Sequence, residues 1–219
     1  MMSHAILPRP MAELKRLRAL DGGLGTSVGT PSDDEIVAGL LAGKAWAAEQ
    51  LYDRLHPVVD RALRRVLQSS ADHDDLIQIV FERIVRTLAE RKFAGACSLS
   101  TWATAIAAHV GIDALRARVR ERAVVWDDRT RSSEIAARVA SGNLERQLEA
   151  RADIAELQGI LAALDPAQAE TVLLHDVYGH ELSEIAVLMG VSVAAAQSRL
   201  VRGRKELLKR AAARLGRSS

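Results

Sequence analysis

The chain has 219 residues, enough for one large or two small domains, and a formal net charge of only +2. Hydrophobic residues make up 48% of it but aromatics only 3%, with Ala, Leu and Arg abundant, which favours helices and disfavours a sheet-rich fold. A single cysteine, Cys97, excludes an intrachain disulfide and a cysteine metal cage. No apolar run approaches the length of a membrane span and no signal-peptide core opens the chain, so no membrane insertion and a cytoplasmic location are expected.

Residues 1–32 read as a flexible tail: 11–20 can form a short amphipathic helix, but the Gly/Ser-rich stretch DGGLGTSVGTPS follows it. Asp33-Asp34 then opens a helix, acids at its N-terminus, with Ile36, Val37, Leu40 and Leu41 inward and Gly43-Lys44 ending it. A longer helix over 45–67 carries the stripe Trp46, Leu51, Leu55, Val58, Val59, Ala62, Leu63 and Val66, and Pro57 predicts a kink or break within it. After a polar turn at 69–75 the next helix places Leu76, Ile79, Val80, Ile84, Val85 and Leu88 inward. Asp75, Gln78, Glu82 and Arg86 fall on its other side. The small-residue loop FAGACS leads to a helix capped by Ser98 or Ser100 and running into Arg122, with Trp102, Ile106, Val110 and Leu115 as its inner set. Its second half holds Arg116, Arg118, Arg120 and Arg122 against Asp113 and Glu121, an arrangement that suits the helix dipole or a phosphate backbone.

Composition shifts toward Asp, Ser and Arg over 124–143, which reads as a linker. Helical periodicity returns from Leu144 to about Leu164, stops at Asp165-Pro166, and resumes from Ala167 to about Val177. Tyr178-Gly179 then turns the chain, and the pair His175 and His180 around Asp176 reads as a surface turn. The expected fold is therefore all-α: two small helical domains, 33–123 and 144–215, joined by a flexible linker.

The second domain ends in ELSEIAVLMGVSVAAAQSRLVRGRKELL. Leu182, Ile185, Ala186 and Leu188 make one apolar face, Gly190 can leave the helix through positive φ, and Ser192 stands as the N-cap of a second helix. In that helix Val193, Ala196, Leu200, Leu207 and Leu208 can face inward. Gln197, Ser198, Arg199, Arg202, Arg204 and Lys205 are left outward. Helix, Gly turn and capped basic helix describe a helix-turn-helix DNA reader, or an ordinary helical hairpin with a solvated face. Charge favours the reader: residues 192–219 hold eight cations (Arg199, Arg202, Arg204, Lys205, Lys209, Arg210, Arg214 and Arg217) against the one acid Glu206. Nothing points to an enzyme, a cofactor or a metal site. The six histidines form no His-x-x-x-His pair or acidic cluster, and neither a phosphate loop nor a nucleophile motif occurs.

Three stretches, in order, resemble the extracytoplasmic-function (ECF) class of bacterial sigma factors: DHDDLIQIVFERI at 72–84, FAGACSLSTWATAIAAHVGIDALRARVR at 93–120, and LDPAQAETVLLHDVYGHELSEIAVLMGVSVAAAQSRLVRGRKEL at 164–207. The resemblance implies a promoter-specificity subunit that docks on core RNA polymerase through Asp75, Gln78 and Glu82. It implies that Lys92, Phe93, Ser98, Thr101, Trp102 and His109 engage the non-template strand of the minus-ten element while Arg116, Arg118 and Arg120 track phosphates. Ser192, Ala195, Gln197, Ser198, Arg199, Arg202, Arg204 and Lys205 would meet the minus-thirty-five element. An anti-sigma partner is a further expectation. Three departures stand out: Ile79 replaces the family's usual Glu, His109 its usual Asn, where the alternative role for His109 is local packing, and Ala194-Ala195-Ala196-Gln197 stands where the family more often has G-T-V-K. Trp102 is a core residue first. Ile79 is also the one feature favouring the alternative reading, a sigma-like regulator or decoy without productive polymerase docking.

Overall fold

The computed structural model describes residues 30–68, 72–129 and 153–215; the sequence readings for the tail before Thr30, for most of the linker and for 144–152 lie outside them. Every described element is helical. Helix α1 (Asp33–Leu41) begins with a reciprocal capping box, in which Ser32 Oγ accepts from the Glu35 amide at 3.2 Å and the Ser32 amide donates to Glu35 Oε2 at 2.7 Å. Helix α2 (Ala45–Leu67) buries Leu51, Leu55, Val59, Leu63 and Val66, a stripe at three- and four-residue spacing. Helices α3 (His73–Ala89) and α4 (Leu99–Arg129) pack on it.

One carboxylate ties three of these helices. Asp33 Oδ1 accepts from the Arg54 guanidinium of α2 at 2.6 Å, and its Oδ2 accepts from the Leu99 amide at 2.7 Å. Arg54 also donates to the Pro31 carbonyl. The acid at the start of α1 thus serves as the N-terminal acceptor for α4, satisfying an amide that has no partner within its own helix.

The second half starts with α5 over 153–162. Asp165 then caps α6 (Pro166–Val172), accepting from the amides of Ala167 and Gln168 at 3.0 and 3.2 Å, with Pro166 at the first helical position. Helix α6 passes into one π-helical turn, Leu173–Val177, before Gly179 reverses the chain at φ +76°. Helices α7 (Leu182–Leu188) and α8 (Val193–Leu215) complete it. Gly203 lets α8 lie flat on α6, since a Cβ there would meet Val172 Cγ2 at 2.7 Å and the Gln168 carbonyl at 3.2 Å.

The two halves share a core. Leu164, Ala169 and Leu173 belong to the cluster built on α2, α3 and α4, while Ala108 of α4 sits in the cluster formed by Leu174, Ile185, Ala186 and Ala196. Helix α4 is therefore covered on two sides, by α2 and α3 through Ala103, Ala107 and Val110 and by the second half through Ala108.

Several expected details differ. Pro57 does not break α2; buried residues on both sides of it hold one continuous helix. The α4 helix does not stop at Arg122 but continues to Arg129, into the stretch read as linker. Trp46 is 44% exposed because its ring lies over Gly39 at the surface rather than in the core. In α3 Leu76, Val80, Ile84 and Leu88 are buried as expected and Ile77 and Phe81 join them, but Ile79 is 39% exposed. Val193 and Leu208 of α8 point outward at 48% and 67% exposure, because the helix meets its neighbours along Ala196, Leu200 and Gly203. His175 and Asp176 lie in the π turn and not in a loop.

Candidate nucleic-acid interface

On α3, Asp75, Gln78 and Glu82 are exposed along one side, and Gln78 Nε2 donates to Glu82 Oε1 at 3.0 Å. Spacing of three and four residues puts all three on one ridge. Ile79 lies beside them, so this polar face carries an apolar patch at its centre.

The loop between α3 and α4 leaves its helix through Arg91 at φ +54° and turns at Gly95 at φ +68°. Lys92 is exposed and bridges Glu90 at 2.6 Å. Phe93 and Trp102 pack as a tilted pair with ring centroids 5.0 Å apart, both half-buried. Ser98 caps α4: its Oγ accepts from the Thr101 amide at 3.0 Å and donates to Thr101 Oγ1 at 2.9 Å. The Phe93–Trp102 pair packs against the core beside the start of α4, which carries the Ser98–Thr101 cap, and Lys92 precedes Phe93 in the loop.

The basic residues farther along α4 are placed differently from the sequence expectation. Arg116 is not directed at solvent. Its Nε donates to the Ala162 carbonyl at 3.1 Å and its NH2 to the Leu164 carbonyl at 2.6 Å, capping the end of α5. Arg118 pairs with Asp72 at 3.5 Å, and Arg120 is exposed. His109 Nδ1 meets Glu170 Oε1 of α6, and its Nε2 lies 3.3 Å from Asp113 Oδ2. The Glu170 hydrogen bond holds the imidazole above its ordinary pKa against the opposing effect of burial. His109 thus reaches the second half of the chain while its ring stays half-exposed.

In the second half, Met189 ends α7, Gly190 turns at φ +63°, and the Val191 amide closes the turn on the Ala186 carbonyl at 2.9 Å. Ser192 Oγ accepts from the Ala195 amide at 3.2 Å, fixing the start of α8. Ile185, Ala186, Ala196 and Leu200 form the buried seam between the two helices. Outward from it stand Ser192 and Gln197, with Ala195, Ser198 and Arg199 half-buried on the same end. Arg202 and Lys205 are exposed and line a surface cleft of about 400 Å³ with Lys209.

Arg204 is the exception among the candidate phosphate contacts. Its Nε donates to Asp176 Oδ2 at 2.9 Å and its NH2 to Asp176 Oδ1, a two-point fork from α8 to the π turn. That fork holds the Asp176 carboxyl below the usual range. Arg204 therefore ties α8 to the π turn, and its charge is already paired. Sequence reasoning missed Asp176, Glu170 and Asp33 as organising acids. Each acts on a residue far away in the chain, so no local pattern announces it.

Among the described residues, no group of His, Cys, Asp and Glu is placed to hold a metal ion, and no single helix is long and apolar enough to cross a membrane.

Comparison with known proteins agrees with this geometry. Residues 51–121 match the family model for sigma-70 region 2, and residues 154–207 match that for sigma-70, region 4. The chain is 30% identical over 161 residues to the RNA polymerase sigma factor CarQ of Myxococcus xanthus, covering 74% of this chain and 87% of that protein. It is 29% identical over 182 residues to the ECF RNA polymerase sigma factor SigC of Mycobacterium tuberculosis, covering 82% and 93% respectively. Among solved structures, that of CnrH in complex with the cytosolic domain of CnrY shares the fold, with a TM-score of 0.50 and 22% identity over 86% of this chain and all of that one. Region 2 and region 4 follow one another here in the order that serves promoter-specific transcription initiation, and the chain belongs to the ECF group of RNA polymerase sigma factors.

Proposed function

We propose that the chain divides promoter recognition between its halves: residues 33–129 dock on core RNA polymerase and open the minus-ten element, and residues 144–215 read the minus-thirty-five element. The observation that carries this reading is the exposed N-terminal end of α8, which stands on a rigid seam beyond the Gly190 turn. Gln197 there suits a bidentate contact with adenine, and Arg199 a contact with guanine. Arg202 and Lys205, farther from the reading end, hold phosphates and set register.

The Phe93–Trp102 platform gives an unstacked minus-ten base an aromatic surface, with Lys92, Ser98 and Thr101 at hand for its phosphate and edges. Stacking of this kind is worth about 1–3 kcal/mol per base, enough to offset extrusion. Asp75, Gln78 and Glu82 form the polymerase-docking ridge. No step in this scheme makes or breaks a covalent bond, so the protein acts as a binding factor and not as an enzyme, in the cytoplasm with its polymerase. A protein inhibitor of the anti-sigma kind is also proposed, by analogy with the cytosolic domain of CnrY bound to CnrH.

The exposed Ile79 favours a second reading, a sigma-like decoy, because it replaces charge with an apolar group in the middle of the docking ridge. One assay separates the two: form holoenzyme from purified core polymerase and follow a fluorescent base analogue in the minus-ten segment. Promoter opening that falls by about tenfold or more with Phe93→Ala supports the sigma reading. Failure to bind core polymerase supports the decoy.

A further inference from the structure

The promoter elements that regions 2 and 4 serve lie about 25 base pairs apart, which is on the order of 85 Å of duplex at ~3.4 Å per pair. In this structure the two DNA faces belong to one packed body. Ala108 of the melting helix α4 is fully buried in the core of the helix-turn-helix. A molecule in this arrangement cannot hold both elements together.

Several contacts bind the halves, and one of them takes up Arg116, a candidate phosphate contact. Arg116 is spent on the Ala162 and Leu164 carbonyls, and Tyr178 donates to the Ala62 carbonyl at 2.8 Å. Gln158 donates to the Val66 carbonyl at 2.9 Å, and Arg65 donates to the Val177 carbonyl at 3.0 Å. His109 adds a further contact across the interface, and its geometry demands a particular charge state. Both ring nitrogens face carboxylates, Glu170 across the interface and Asp113 on its own helix. Carboxylates only accept, so the ring meets both acids favourably only when both nitrogens carry protons.

We propose that this closed arrangement is a self-inhibited state latched by an imidazolium at His109 between Asp113 and Glu170, and that loss of its proton releases region 4 from the melting helix. The consequence for promoter binding rests on the sigma reading above; the latch itself does not. The charged groups around the ring are Asp113 on α4, Glu170 on α6, and Arg83 and Arg86 on α3, while α7 brings only Leu188 and Met189 to the same cleft. Arg83 is turned toward Asp113 at 3.6 Å, and the acids dominate. With the imidazole held above its ordinary value, the closed state has its full latch below about pH 6.5 and loses it as pH rises through the raised pKa.

Small-angle scattering of the full chain between pH 5.5 and 8.5, with anisotropy of a fluorescein-labelled mixed-sequence 20-mer single strand, tests this. Wild type should expand as pH rises, and its affinity for the strand should climb by up to about tenfold per pH unit, the limit for one linked proton. Glu170→Gln should be expanded at pH 6 and respond little to pH. Tyr178→Phe, which removes a hydroxyl that burial keeps protonated throughout this range, should be more open throughout yet keep the wild-type pH slope. A radius of gyration in wild type that ignores pH, or a slope that survives in Glu170→Gln, would overturn the latch. Expansion with pH but no strand binding at any pH would uphold the latch and count against the sigma reading.

Discussion

Arg202 and Arg204 sit two positions apart on one helix, yet the structure assigns them different work. Arg202 is exposed, whereas Arg204 is forked onto Asp176. Arg202→Ala should weaken promoter binding across sequences and reduce the salt slope by about one, read from affinity against salt concentration. Arg204→Ala should leave that slope nearly unchanged and instead lower the melting temperature of region 4. Equal salt slopes for the two variants would contradict the assignment. Gly203 makes the same point through packing: Gly203→Ala drives a Cβ toward Val172 and should cost about 1–3 kcal/mol in thermal unfolding. Such residues were only half legible in the sequence. Which face each lies on follows from helical periodicity, but the neighbours of Arg204 and Gly203, Asp176 and Val172, come from other elements, and periodicity carries no information about those.

The helices themselves were readable, because apolar stripes, caps and glycine turns are local. Ser32, Asp165, Gly190 and Ser192 act where the sequence placed the corresponding starts and stops. The errors concern which face is covered. Ile79, Val193 and Leu208 are apolar at inward spacing yet exposed, because burial depends on the neighbouring helix as well as on hydrophobicity. Pro57 was overridden by the packing of α2 on both sides. Helix α4 is the most informative case. Its run ATAIAAHVGIDAL is apolar around much of the circumference, which signals a helix buried from two sides. Only the structure shows that the second cover is region 4. Ala108→Leu would overfill that contact and should push the halves apart while keeping each folded, seen as a larger radius of gyration with unchanged helix content. At the other end of α4, Asp33→Ala removes the acceptor for both the Leu99 amide and Arg54, and should lower stability by about 1–3 kcal/mol in denaturant titration.

At the scale of the whole molecule, two helical units with separate DNA faces are held in one closed body. Their separate identities were legible because each carries its own motifs. Their mutual packing was not, since interdomain contacts are few, scattered and chemically ordinary. Function requires that they part, because a closed molecule meets one promoter element at a time. The direct measurement is run-off transcription with purified core polymerase and a library of promoter fragments, with and without this protein. The account predicts new transcripts that depend on defined minus-ten and minus-thirty-five sequences, with selectivity at one minus-thirty-five position lost in Gln197→Ala. A protein that binds core polymerase tightly yet leaves its start sites unchanged would contradict it.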